Sequence, residues 1–183
     1  MKALLVRHAA AISRGTPGVL DDERPLASSA EIKFRVAARG LARLGPRPDV
    51  LLTSPLARAH ATADIAARAF GGLDVRIEPT LVGESLSGVI AALNAQPRDA
   101  TVALFGHQPM LGALLAHLLG MAQGEGFAFK KAGAALIDLP EGPGTPGWLL
   151  WFLDPRVLRA IGDGTRVPPK VRSVNGRAKP PSE

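Results

Sequence analysis

The residues of this sequence best suited to chemistry are two arginines and two histidines, Arg7, His8, Arg58 and His107. Arginine forks match phosphate oxygens in pairs, and a neutral imidazole can attack phosphorus. Arginine does not ligate metals, and the set contains no carboxylate, so it makes a poor metal site. These residue types therefore predict a site for a tetrahedral oxyanion, with no metal or organic cofactor implied.

Two histidines in such a site can have different roles. One imidazole can attack phosphorus and form a phosphohistidine, which splits one difficult displacement into two steps. The arginines spread the charge of the phosphoryl group in the transition state, and their positive potential lowers the imidazole pKa. The second histidine can donate a hydrogen bond to the phosphoryl oxygens.

The elements that must position these residues are three short apolar runs, over 2–6, 50–54 and 101–105. Each predicts a buried strand, followed at once by Arg7-His8, by the turn leading to Arg58, or by Gly106-His107. Helical patterns alternate with these strands, which predicts an α/β fold with three layers and a mostly parallel central sheet. Because ligands bind at the carboxyl ends of parallel strands, the separated residues should converge.

The boundaries of several elements follow from local signals. Ser28 or Ser29 is expected to cap the first helix, and Pro55 to begin the second. After Gly120 the apolar runs over 127–129, 134–139 and 148–152 predict strands separated by Gly/Pro turns. These would add antiparallel strands to the sheet.

Four segments carry a resemblance to a known family: Val6-Arg7-His8-Ala9, Arg24-Pro25-Leu26, the stretch 52–59 and Phe105-Gly106-His107-Gln108-Pro109. In this order they resemble the histidine phosphatase superfamily, and the short chain is most similar to the small SixA-type phosphohistidine phosphatases. The resemblance covers about residues 1–155 and implies a phosphoglycerate mutase-like fold. It implies that His8 is the nucleophile, that Arg7, Arg58, His8 and His107 bind phosphate, and that Arg24 is structural or lies at the pocket rim.

A general acid is the least defined part of the predicted site. Larger relatives use an acidic residue to protonate the leaving oxygen, and Glu84 lies nearest to the corresponding place, so we take it as a candidate catalytic residue. Asp21, Asp22 and Glu23 in the first loop are the alternatives. The third residue of the first motif is Ala9, where the superfamily's best-known form has glycine, a change that the small members tolerate.

The chemistry of the leaving group favours phosphohistidine over an alkyl phosphate ester as the substrate. An alkyl phosphate ester needs a positioned acid, whereas a phosphoramidate leaves as an easily protonated imidazole. No large insertion is present to build a lid, which favours a pocket open to a protein side chain. We therefore predict a phosphohistidine phosphatase. The alternatives are a small-molecule phosphomonoesterase or mutase that uses Glu84, and a phosphate sensor without catalysis.

Composition sets the remaining limits. The 183 residues predict one domain over 1–162 and a basic, proline-rich tail over 163–183 that carries half of the net charge of +6. The absence of cysteine excludes disulfides, thiolate catalysis and cysteine-ligated metals. No apolar run reaches the ~18 residues of a membrane span, so a cytoplasmic protein without a membrane partner is expected.

Two further features are predicted to be without function in catalysis or binding. The basic residues of the tail are sparse, and no aromatic residue follows Phe152, so base stacking cannot help and nucleic acid is not expected as a partner. His60 and His117 lie away from the strand ends and are interpreted as structural.

Overall fold

One six-stranded sheet forms the centre of the protein. The computed structural model describes residues 1–83, 85–121 and 127–166. The strands are β1 (Lys2–Arg7), β2 (Val50–Thr53), β3 (Val75–Ile77), β4 (Thr101–Gly106), β5 (Ala134–Asp138) and β6 (Trp148–Leu153). Their order across the sheet is β3-β2-β4-β1-β5-β6. The first four strands run parallel, β5 runs antiparallel to β1, and β6 antiparallel to β5.

Helices cover both faces of this sheet. They are α1 (Ser28–Leu44), α2 (Ala57–Ala69), α3 (Leu86–Asn94), α4 (Met110–Leu118) and α5 (Pro155–Asp163), with a 3₁₀ helix over Pro79–Val82. Alternate residues of β1 enter two separate cores, Leu5 the one with α3 and α4, and Val6 the one with α1, α2 and α5. The predicted three-layer, mostly parallel α/β fold is confirmed.

Helix starts depend on different contacts at different helices. Ser85 Oγ accepts a hydrogen bond from the Gly88 amide at α3, and the Asp154 carboxylate accepts one from Arg156 at α5. The predicted serine cap of α1 is wrong, because the helix begins at Ser28 after Ala27 and has no side-chain cap. The entry to α1 is fixed by a backbone hydrogen bond from the Ala27 amide to the Ala10 carbonyl.

The start of α2 also differs from the prediction. The helix begins at Ala57 rather than Pro55, with Leu56 as its extended N-cap residue. The Leu56 amide donates to Ser54 Oγ, 3.3 Å away, so the chain makes a tight turn before the helix begins. This turn leaves Ser54 at the end of β2 and Arg58 in the first turn of α2.

The predicted strand over 127–129 does not form. Phe129 is buried in the core beside β5, but its carbonyl accepts a hydrogen bond from Arg7 Nη1 instead of joining a ladder. The Phe127 carbonyl accepts from Gln108 Nε2 in the same way. Both sides of β1 are occupied by β4 and β5, so this apolar run supplies carbonyls to side chains at the strand ends.

The described chain ends just beyond α5, whose last residue, Asp163, lies one position after the predicted domain boundary. Residues 167–183 of the predicted tail lie outside the described residues. Over 1–83, 85–121 and 127–166, no helix is long and apolar enough to cross a membrane. The same residues contain no group of three or more side chains that could hold a metal ion.

Candidate active site

Three neighbouring strands end at the candidate site. In the order β2-β4-β1, Arg7 is paired with Gly106, and Thr53 with Phe105. His8 and His107, the residues that follow β1 and β4, therefore lie side by side, with ring centroids 4.9 Å apart. His8, His107 and Arg58 are each only 7% exposed. The structure thus brings together residues from three separate parts of the sequence.

A backbone contact determines the tautomer of His8. Its Nδ1 lies 2.6 Å from the Ala9 carbonyl oxygen. Because a carbonyl oxygen only accepts hydrogen bonds, Nδ1 carries the proton and Nε2 keeps its lone pair. The Ala9 amide in turn donates to Thr62 Oγ1 at 3.0 Å, and that hydroxyl donates to the Arg58 carbonyl at 2.6 Å. This chain of hydrogen bonds fixes the His8 ring relative to α2.

His8 is neutral at physiological pH. Burial lowers its pKa to about 4, and the positive charges of Arg58 and Arg7 act in the same direction. The hydrogen bond to Ala9 opposes the shift without cancelling it. A neutral ring with a free Nε2 lone pair has the form that a nucleophile requires.

His107 is held by the hydroxyl of Ser54. Its Nε2 lies 2.9 Å from Ser54 Oγ, which also accepts a hydrogen bond from the Leu56 amide. Burial is the main cause that lowers the pKa of His107 to about 3, followed by the neighbouring His8 and Arg58. Both imidazoles are therefore uncharged before an anion enters.

Arg7 retains capacity to donate hydrogen bonds to an anion. One of its terminal nitrogens, Nη1, donates to the Phe129 carbonyl. Its Nε is buried and has no hydrogen-bond partner among the described residues. Burial lowers the pKa of Arg7, but a guanidinium keeps its charge at neutral pH. A half-buried cation whose buried Nε–H has no partner among the described residues fits an anionic ligand.

The guanidinium of Arg58 is held by contacts with Asp21. Its Nη1 donates to the Asp21 carbonyl at 2.8 Å, and its Nη2 lies 3.6 Å from the Asp21 carboxylate. That carboxylate also accepts from Arg14 and Arg24, and Arg14 is the main cause that lowers the pKa of Asp21 to about 2. Arg24 also donates to the Ile12 carbonyl, which connects Asp21 to the segment that follows β1.

The arginines around Asp21 determine the charge of this candidate general acid. Asp21 is ionised at neutral pH, so it has no proton to give and serves to position Arg58. Asp22 and Glu23 are exposed in the same loop. Glu84 lies outside the described residues, so its proposed role stays a prediction.

The other two histidines lie apart from this cluster. His60 pairs with Asp64 one turn along α2, with 3.1 Å between Nδ1 and Oδ2, and His117 is exposed on α4.

Two positioning residues of the site were not singled out from the sequence. Ser54, which holds His107, stands directly after an apolar strand, and that placement could have identified it. Thr62 lies one helical turn after Arg58, but its contact with Ala9 spans 53 positions and has no local signal.

Comparison with known proteins identifies the family to which this chain belongs. The family model of the histidine phosphatase superfamily (branch 1) matches residues 3–82. An uncharacterised protein of Picosynechococcus is 35% identical over 146 residues, which cover 78% of this chain and 86% of that protein. The chain belongs to the histidine phosphatase superfamily.

Solved structures of this superfamily share the fold. The protein histidine phosphatase SixA complexed with tungstate has a TM-score of 0.72 at 25% identity, covering 85% of this chain and 97% of that one. A protein assigned as the phosphohistidine phosphatase SixA of Agrobacterium tumefaciens has a TM-score of 0.70 at 27% identity, covering 84% and 97%. The predictions of the superfamily, of the SixA-type fold and of a phosphatase are confirmed.

Proposed function

We propose that this histidine phosphatase removes the phosphoryl group from phosphohistidine by transferring it to His8. The observation that carries the proposal is the hydrogen bond from His8 Nδ1 to the Ala9 carbonyl. It leaves Nε2 unprotonated beside His107, in a pocket flanked by two arginines. Such a ring can act as a nucleophile without first losing a proton.

In the first step the lone pair of His8 Nε2 attacks phosphorus. A P–N bond forms to His8 while the P–N bond to the substrate imidazole breaks, and its electron pair returns to that imidazole. The leaving ring takes up a proton from solvent. In the second step water attacks the phosphorus of phosphorylated His8, the new P–N bond breaks, and inorganic phosphate and neutral His8 result.

Arg7, Arg58 and His107 stabilise the phosphoryl group during both steps. Two guanidiniums face the charge that spreads over the phosphoryl oxygens, and they are fixed in advance by Phe129 and Asp21. The negative charge of the phosphoryl dianion favours protonation of His107 and a hydrogen bond from its ring to a phosphoryl oxygen. The SixA relative in complex with tungstate, a tetrahedral oxyanion, supports this assignment.

The choice of phosphohistidine over an ester follows from the leaving group. Imidazole departs from phosphorus with little help, whereas an alkoxide of high pKa needs a positioned acid. Asp21 contacts the site but is ionised. An esterase or mutase in which Glu84 supplies the proton is the alternative function.

The test compares two substrates. We expect a peptide phosphorylated on one histidine to be hydrolysed with a higher kcat/KM than an alkyl phosphate. His8→Ala should abolish turnover, and an acid-labile, alkali-stable phosphoryl label should appear on the wild-type protein but not on this variant. The exposed His117 provides the control, since His117→Ala should retain both activity and label.

Two results would contradict the proposal. Faster hydrolysis of the alkyl phosphate, lost in Glu84→Gln, would support the esterase or mutase instead. Full activity of His8→Ala would exclude the covalent intermediate.

A further inference from the structure

A pocket of about 200 Å³ lies between the segment that follows β1 and the loop before β5, and Ala9, the residue after His8, is part of its lining. Lys33 of α1, Arg159 of α5 and Lys131 from the loop before β5 line it. Ala9 and Ala132 also line it. We call it the basic pocket.

The basic pocket and the phosphoryl site share the same backbone. Ala9 lines the basic pocket, and its carbonyl accepts the hydrogen bond from His8 Nδ1. The Ala132 amide donates to the carbonyl oxygens of both Arg7 and His8, each at 3.1 Å. The charge of Lys131 also reaches the His8 ring, since it contributes to lowering the pKa of His8. The basic pocket is therefore adjacent to the backbone that carries Arg7 and His8.

The positive charges of the basic pocket are not paired with carboxylates among the described residues. None of the side chains that line it over 1–83, 85–121 and 127–166 is acidic, and Lys33, Lys131 and Arg159 form no ion pair there. The adjacent Lys130, by contrast, pairs with Asp154. Three like charges around one small cavity repel each other, and an anion relieves that repulsion.

The backbone packing of α1 and α5 fixes the helices that carry two of these cations, Lys33 and Arg159. A Cβ on Gly40 of α1 would lie 1.9 Å from the Leu158 carbonyl oxygen, and one on Gly162 of α5 would lie 2.0 Å from the Val36 oxygen. The two helices thus touch through their backbones. The backbone positions of Lys33 and Arg159 relative to each other are therefore set by helix packing and not by a flexible loop.

We propose that the basic pocket binds a carboxylate of the same substrate molecule whose phosphoryl group is transferred to His8. In a phosphoprotein, this carboxylate is the side chain of an aspartate or glutamate close to the phosphohistidine. The inference rests on the proposed function for the identity of the phosphoryl donor. A carboxylate on a small phosphate ester has the same chemistry, and the test separates the two sources.

The experiment uses two synthetic peptides that are each phosphorylated on a single histidine. Both residues that flank this histidine are glutamate in one peptide and glutamine in the other, and the peptides are otherwise identical. A single exposed ion pair contributes up to about fivefold in affinity. With one carboxylate shared by three cations, we expect the wild type to favour the glutamate peptide about tenfold in kcat/KM, mostly through KM. The combined variant Lys33→Ala, Lys131→Ala and Arg159→Ala should bring the ratio close to one.

A charge-matched control removes three exposed arginines outside the basic pocket, Arg68, Arg76 and Arg98, by substitution with alanine. It lowers the net charge equally and should keep the tenfold ratio, which separates a local site from general attraction. Equal rates of the wild type on both peptides, or a ratio that survives in the pocket variant, would overturn the inference.

Failure of the proposed function gives a different result. If neither peptide is hydrolysed, the phosphohistidine assignment fails, and the same ratio is measured with phosphoglycolate against ethyl phosphate. A preference for phosphoglycolate that is lost in the pocket variant would then assign the carboxylate to a small molecule. No preference there would overturn the inference itself.

Discussion

His107 depends on one hydroxyl for its orientation. Ser54 is fully buried, and its Oγ contacts both His107 Nε2 and the Leu56 amide. An imidazole that must meet a phosphoryl oxygen gains from a fixed ring plane, because misplacement of a donor weakens its contact with the transition state. Ser54 therefore acts through His107 and through the turn into α2, as a positioning residue.

We expect Ser54→Ala to lower kcat about tenfold, which corresponds to about 1.4 kcal/mol of lost positioning. Steady-state kinetics on the phosphorylated peptide measures it. Thr53→Val is the matched control, since Thr53 is equally buried and loses one hydrogen bond, from Oγ1 to the Ser54 carbonyl, without touching His107. The positioning role would be wrong if both variants lost the same activity at similar stability.

At the scale of elements, the contact between α1 and α5 brings the two backbones together. Arg43 of α1 strengthens this contact, because its Nη1 donates to the Ile161 and Gly162 carbonyls at the end of α5. Separation of the helices would break these hydrogen bonds and move Lys33 away from Arg159. The glycines at the crossing are needed for space, since both lie inside helices, where glycine is otherwise unfavourable.

Gly40→Ala tests whether the steric clash at the helix crossing outweighs the higher helix propensity of alanine. Alanine favours a helix by about 1 kcal/mol over glycine, but its Cβ would lie 1.9 Å from a backbone oxygen that cannot rotate away. We expect a net loss of about 3 kcal/mol in the free energy of unfolding, measured by urea denaturation. Gly144→Ala, at an exposed position with nothing within 4 Å, should change it by less than about 0.5 kcal/mol. A stabilised Gly40→Ala protein would contradict the packing argument.

Elements with strong local signals could be predicted from the sequence. The strands before His8, Ser54 and His107 are short apolar runs that end at polar residues, and the parallel alternation follows from the helices between them. The strand predicted over 127–129 does not form, because an apolar run does not reveal whether its carbonyls join a ladder or accept hydrogen bonds from Arg7 and Gln108. Hydrophobic pattern alone carries no information about such partners.

Parts of the candidate site could not be predicted for the same reason. The contact of Arg58 with Asp21 spans 37 positions, and the loop that brings Lys131 beside His8 contains Ala132 with φ of 63°, a conformation for which alanine gives no signal. Local sequence identifies the residues that face phosphate. The residues that position them depend on long-range contacts.

For the whole molecule, the buried site lowers stability in acid. His8 and His107 are neutral in the folded protein, and both are close to the cations Arg7 and Arg58. In the unfolded chain each ring recovers its usual pKa of about 6.5. Between that value and the folded values of about 4 and about 3, the unfolded state binds more protons.

The free energy of unfolding is therefore expected to fall as the pH is lowered from about 6.5 towards 4, and to recover as the pH rises. Two rings with shifts of this size give a loss on the order of several kcal/mol, a large part of the ~5–15 kcal/mol of a typical domain. Asp21 and Asp154, whose pKa values are lowered, reduce the free energy of unfolding only below their usual pKa of 3.8.

Urea denaturation at a series of pH values measures how the free energy of unfolding changes with pH. His107→Gln should flatten this dependence, whereas His117→Gln, at an exposed position on α4, should not. A slope that is the same in wild type and His107→Gln would show that the buried imidazole does not carry this pH dependence.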